Sequence, residues 1–131
     1  MNKNIRRLPD SELEVMQAIW TCSPQTGETT QPVSRGQIEE ILQDRDMALT
    51  TLLTLLSRLA DKDFVKTEKI GRSNAYTPLI SQADYLAAQS RSFLDKLCGG
   101  SLSTFANALA GSGLTKEELE ELRQLLERRQ L

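Results

Sequence analysis

Thr50, Thr51, Thr54, Ser57 and Arg58 are spaced so that one side of a helix carries four hydroxyl groups and a guanidinium. Lys66, Lys69, Arg72, Ser73 and Asn74 follow directly, a second group of cationic, hydroxyl and amide side chains. Such groups hydrogen-bond to polyanions and to polar edges. They do not by themselves supply a proton shuttle or an activated nucleophile. The chain contains no histidine, which removes imidazole acid–base chemistry and Ser–His catalysis. No Gly-rich phosphate loop and no G-x-S-x-G elbow occurs. The carboxylates of Glu117–Glu127 fit the solvated face of a helix. The residue types point to recognition, not to an enzyme, and no cofactor or metal is expected.

Helical periodicity explains how these groups are presented. With Leu52 at the centre of a wheel turning about 100° per residue, Ala48, Leu49, Leu52, Leu53, Leu55, Leu56, Leu59 and Ala60 form one apolar arc. Thr50, Thr51, Thr54, Ser57, Arg58 and Asp61 form the other. The helix is expected over about 48–62, with Asp44–Asp46 as the turn before it. Upstream, Ser11 and Glu14 have the S-x-x-E capping-box spacing after Pro9, and Leu13, Met16, Ile19 and Trp20 mark a core face. Ser34 and Gln37 suggest a second box, opening a helix whose buried stripe is Ile38, Ile41 and Leu42. Residues 23–32 read as a loop. Downstream, Phe64, Val65, Thr67 and Ala75–Thr77 favour strand, with Ile70–Asn74 as the turn and Ser73 and Asn74 at its tip.

The remainder is helical by pattern. One helix runs from Ser81 to about Leu97, stopped by Gly99 and Gly100. A short helix bears Leu102, Phe105, Ala106 and Leu109. A last one opens on the Thr115/Glu118 box and carries Leu119, Leu122, Leu125 and Leu126. The fold expected is mainly α with a small β-hairpin: an α/β unit over 1–79 and a helical unit over 80–131. Three short helices bury too little apolar area to stand alone, and a two-fold dimer is the economical remedy. Its expected contacts are Leu94, Leu97, Leu102, Phe105, Leu109, Leu119, Leu122, Leu125 and Leu126.

A hydroxyl-bearing helix followed at once by a basic hairpin is the order found in winged helix-turn-helix proteins. There the helix enters the DNA major groove and the ribbon grips the backbone. Net charge is −2, but the cations gather in Arg58–Arg72 and in Lys3, Arg6 and Arg7, a strip suited to phosphates. Arg6 and Arg7 therefore join the DNA-binding candidates Thr50, Thr51, Thr54, Ser57, Arg58, Lys66, Lys69, Arg72, Ser73 and Asn74. The competing reading is a winged-helix module that binds protein, which an acidic balance would suit. No run of about 18 apolar residues exists to span a membrane, and the N-terminus has no secretory core, so a cytoplasmic protein is expected. Cys22 and Cys98 read as reduced structural thiols. A redox variant requires one of them exposed with a lowered pKa; Cys98, before Gly99, is the more accessible by position, while Cys22 beside Trp20 reads as packed.

The run LPDSELEVMQAIW, the Gln37–Leu42 helix, TTLLTLLSRLADKDFV and a hairpin ending NAYTPL resemble the penicillinase-repressor family of bacteria (the BlaI/MecI/CopY type). GGSLSTFANAL and LTKEELEELRQLLE resemble its C-terminal dimerisation region, so the likeness spans about 8–128. The resemblance implies a homodimeric winged-helix repressor that binds a dyad operator and silences a resistance or stress operon. It places the groove-facing positions at Thr50, Thr51, Leu53 and Thr54, followed by Arg58; several members are basic where this chain has Thr50 and Leu53. It also implies a membrane sensor protease as partner, since β-lactam-responsive members are cut at an Asn-Phe bond. The matching bond here is Asn107–Ala108, without the Phe. The C-terminal CxC pair of copper-responsive members has no counterpart.

Overall fold

A computed structural model describes residues 5–23 and 30–129. Lys3 and most of the expected 23–32 loop lie outside these residues. The chain forms two compact units, Met1–Ala88 and Gln89–Leu131.

In the first unit, α1 (Asp10–Cys22) starts two residues earlier than its capping signature implies, with Pro9 in place of Ser11 as N-cap, and that box does not form. Pro9 is extended, and its carbonyl accepts the Leu13 N–H at 2.9 Å. Glu14 instead takes Arg45 Nε at 2.9 Å. Asp10 and Glu12 in the first turn suit the positive end of the helix dipole. Before α2 (Arg35–Ile41), Ser34 Oγ accepts the Gln37 N–H at 3.1 Å and Gln37 Oε1 accepts the Ser34 N–H at 2.9 Å, the full capping box. Ile38 and Leu42 are buried as expected. Ile41 is 42% exposed, because α2 ends there and the chain turns through Gln43–Arg45 to a left-handed Asp46.

Helix α3 (Leu49–Asp61) buries Leu52, Leu55, Leu56 and Leu59. These pack with Val15, Met16 and Ile19 of α1, with Ile38, and with Phe64 and Val65 in one core. The hairpin is β2 (Val65–Ile70) and β3 (Ser73–Pro78), antiparallel with Lys69 opposite Asn74 and Ile70 opposite Ser73. Its turn is tighter than expected: only Gly71 and Arg72 lie between the strands. Gly71 adopts φ 67°, as the first central residue of a II′-like turn requires. A third strand, β1 (Val33–Ser34), pairs Val33 with Tyr76 and Ser34 with Ala75, giving the order β1–β3–β2. Two residues are too few to show period-2 patterning, so this strand has no signature in the sequence pattern.

The first unit continues past residue 79 into α4 (Gln82–Ser92). The Tyr85 ring lies 5.6 Å from that of Trp20 and 5.8 Å from that of Phe64, and its hydroxyl accepts the buried Leu8 N–H at 2.9 Å. That packing makes the start of α4 part of the first core. Tyr85→Phe keeps the ring and orphans a buried donor, so unfolding stability is expected to fall by about 1–2 kcal/mol. Urea titration checks this; a midpoint equal to wild type would mean that Leu8 finds another acceptor.

In the second unit, a π-helical turn (Phe93–Leu97) leads to Gly99 and Gly100, both at positive φ. Ser101 caps α5 (Leu102–Gly111), and the expected Thr115/Glu118 box caps α6 (Lys116–Arg128). The Phe93 and Phe105 rings pack at 5.3 Å. Among the described residues of this unit, only Leu94 and Cys98 are buried. The fold is therefore a winged helix-turn-helix followed by a helical region.

Candidate nucleic-acid interface

The outward face of α3 is less polar than its wheel implies. Thr50, Thr51, Thr54, Ser57 and Arg58 are exposed, but so are Leu49 (44%) and Leu53 (39%), which the pattern assigned to the buried arc. The core reaches only the strip Leu52–Leu55–Leu56–Leu59, so leucines on its border stay in solvent. Thr50, Leu53, Thr54 and Ser57 share about 100° of arc, while Thr51 lies about 160° from Leu53. Thr54 Oγ1 donates to the Thr50 carbonyl at 3.0 Å. That bond leaves an acceptor and a methyl group for contacts outside the helix.

Beside this face is an open cleft of about 510 Å³. Ser34, Arg35 and Gly36 line it from the start of α2, Leu53 from α3, and Lys69, Arg72, Ser73, Asn74 and Tyr76 from the wing. Three of these residues are cationic and none is acidic, so the cleft favours an anion. Arg35 is only loosely tied to Glu39, at 3.8 Å with both side chains nearly half exposed, a pair too weak to hold it from a phosphate. Lys and Arg side chains, with the hydroxyl and amide donors of Ser73 and Asn74, match the oxygens of a sugar–phosphate backbone.

Lys69, Arg72, Ser73 and Asn74 are thus brought together with Leu53. Lys66 is not: it alternates to the opposite face of β2 and pairs with Glu68 at 3.7 Å. Ser73 and Asn74 are strand residues rather than the tip, which is Gly71–Arg72. Arg58 is exposed toward the far end of α3. Arg6 and Arg7 are exposed before α1, outside the residues that line the cleft. Sequence reasoning missed Arg35. Its place just after the Ser34 cap was the available signal.

The cysteines reverse their expected exposure. Cys98 is buried, and Cys22 is partly exposed. Burial, with the nearby Glu40 carboxylate second, pushes the Cys22 thiol above its ordinary value. A thiol held protonated is a poor nucleophile, which argues against redox sensing through it. Among the described residues, no three potential ligands gather to hold a metal, and no helix is long and apolar enough to cross a membrane.

The family profile for the penicillinase repressor matches residues 8–128. The penicillinase repressor of Bacillus licheniformis is 36% identical over 127 residues, covering 95% of this chain and 93% of its own length. The methicillin resistance regulatory protein MecI of Mammaliicoccus sciuri is 29% identical over 130 residues, covering 98% and 100%. A solution structure of the Bacillus licheniformis BlaI monomeric form in complex with the blaP half-operator aligns with a TM-score of 0.47 at 31% identity, over 65% of this chain and 94% of that one.

Proposed function

The chain belongs to the penicillinase repressor family, whose members are regulators rather than enzymes, and on that premise we propose that it is a homodimeric transcriptional repressor binding a dyad operator. The observation that carries this reading is the hydroxyl-and-methyl face of α3 set beside a cleft with three cations and no acid. In the mechanism, each protomer lays the N-terminal half of α3 in a major groove, and the two copies meet half-sites a whole number of helical turns apart. Arg35, Lys69 and Arg72 hold phosphates and fix the register of α3. A dimer so placed over a promoter excludes RNA polymerase. The relatives, a penicillinase repressor and a methicillin resistance regulatory protein, support a resistance operon as the target.

The second unit supports dimerisation by what it leaves uncovered: Leu97 is 74% exposed, Leu102 71% and Leu126 65%. Leu94, also expected at that interface, is already buried within the protomer and has little left to offer. Where a membrane sensor protease relieves repression, Asn107 and Ala108 are exposed but lie inside α5. Cleavage there requires a turn of helix to open first.

Fluorescence anisotropy on DNA from the protein's own promoter region, across a salt series, tests the proposal. Tight, dyad-dependent binding is the expected outcome. Weak binding indifferent to sequence would favour the protein-interaction reading. In the same assay Lys69→Ala with Arg72→Ala is expected to weaken all sequences alike and to flatten the log–log salt slope by about 1.8, the loss of two phosphate contacts. A slope equal to wild type would remove the wing from the interface.

A further inference from the structure

The reading face of α3 has a restricted chemistry. From Leu49 to Ser57 it contains no Arg or Lys to fork onto guanine O6 and N7, no Asn or Gln for adenine N6 and N7, and no carboxylate for cytosine N4. Arg58, the first charge on the helix, stands toward the end that leaves the groove. What this stretch turns outward is hydroxyl and methyl groups. Leu49 and Leu53 are one turn apart, both more than a third exposed. The Thr54 hydroxyl hydrogen is already spent on the Thr50 carbonyl. A lone exposed leucine is ordinary on a protein surface. Two of them, one turn apart on a charge-free stretch, with Leu53 lining a cationic cleft, form an apolar strip next to a site built for phosphate. Covering that strip with apolar groups is favourable, and the apolar group that a major groove offers is the C5-methyl of thymine.

We propose that Leu49 and Leu53, with the Thr54 methyl, are specificity residues that read thymine C5-methyl groups in the major groove, so that this chain selects its operator by methyl groups and not by guanine acceptors. The proposal rests on the DNA-binding reading above and narrows it: the half-site carries thymines opposite the N-terminal half of α3, on whichever strand faces it.

The test starts by selecting duplexes from a random pool with the full-length protein. Each thymine of the enriched half-site is then replaced singly by deoxyuridine, which keeps every hydrogen-bonding group and removes only the methyl. Affinities are measured for wild type, Leu49→Ala and Leu53→Ala. At one or more positions, wild type is expected to bind the deoxyuridine duplex about 4-fold more weakly, the value of one covered methyl group. The matching alanine variant is expected to be indifferent to that exchange, since the partner of the methyl is gone. Both leucines are exposed, so these variants keep the core. An enriched half-site with no costly deoxyuridine position, or with equal cost in wild type and both variants, would overturn the proposal and leave the repressor reading standing. No enriched sequence at all would overturn both.

Discussion

Leu122→Asp with Leu125→Asp is expected to leave the protein monomeric and to weaken its hold on a two-half-site operator by about 100-fold or more. The reason is the composition of the second unit. Helix α6 carries Leu119, Leu122, Leu125 and Leu126 on a framework of charged pairs, with Arg123 bound to Glu120 and Glu127 at 2.6 Å each. Leu125 is 45% exposed and Leu119 and Leu122 are half-buried. Among the described residues this apolar area is only partly covered. An aspartate pair there costs the protomer little, and circular dichroism is expected to be unchanged. In a dimer the same carboxylates would be buried against a second copy, a strongly unfavourable placement. Each protomer alone would then meet one half-site, losing the gain in effective concentration that joins the two. Light scattering gives the mass directly. A mass unchanged by the substitutions would refute dimerisation through α6.

Lys62→Met is expected to lower the stability of the first unit by about 3 kcal/mol, more than any other single ion-pair deletion among its described residues. Lys62 is the C-cap of α3, and its ammonium reaches back to Glu12 on α1 at 2.5 Å. The Glu12 side chain is 5% exposed and that of Lys62 24%. This asymmetry decides the outcome. Without the lysine, the carboxylate has no partner and almost no water. Without the carboxylate, the ammonium can hydrate at its open side, so Glu12→Gln is expected to cost about 1 kcal/mol. The exposed pairs Arg35–Glu39 and Lys66–Glu68 are worth less than that. Thermal and urea unfolding of the two variants measures the difference; equal losses would mean that Glu12 is hydrated in solution and that the pair does not lock α3 to α1.

Local signals were legible wherever nothing distant competed with them. Ser34/Gln37 and Thr115/Glu118 formed their capping boxes as spaced. Ser11/Glu14 has the same spacing and failed: the helix starts at Asp10, so Ser11 lies inside it, and Glu14 meets Arg45, 31 positions away along the chain. The α3 pattern identified the helix and its limits. It could not show how wide a strip the core would cover, and Leu49 and Leu53 fell outside that strip. Strand alternation was readable in the hairpin, and it puts Lys66, three positions from Lys69, on the opposite face of β2. Tyr85 lay beyond the change in composition near residue 79, and only tertiary contact with Leu8, Trp20 and Phe64 assigns it to the first core. Of the candidate interface, the wing and the α3 hydroxyls came from local pattern. Leu53 came from the family resemblance against the helix pattern, while Leu49 and Arg35 needed the three-dimensional structure.

Ser34 belongs to two elements at once. Its backbone pairs with Ala75 in the sheet, and its side chain caps α2. The wing cannot swing without pulling on the start of the helix-turn-helix, so the gap between Arg72 and α3 behaves as a jaw of set width. In the proposed repressor, a duplex entering that jaw would do the adjusting. The energy of that adjustment depends on stacking, with stiff A-tracts resisting and pyrimidine–purine steps yielding. Base pairs that no side chain reaches would thereby acquire influence over where such a repressor settles, through their mechanics alone.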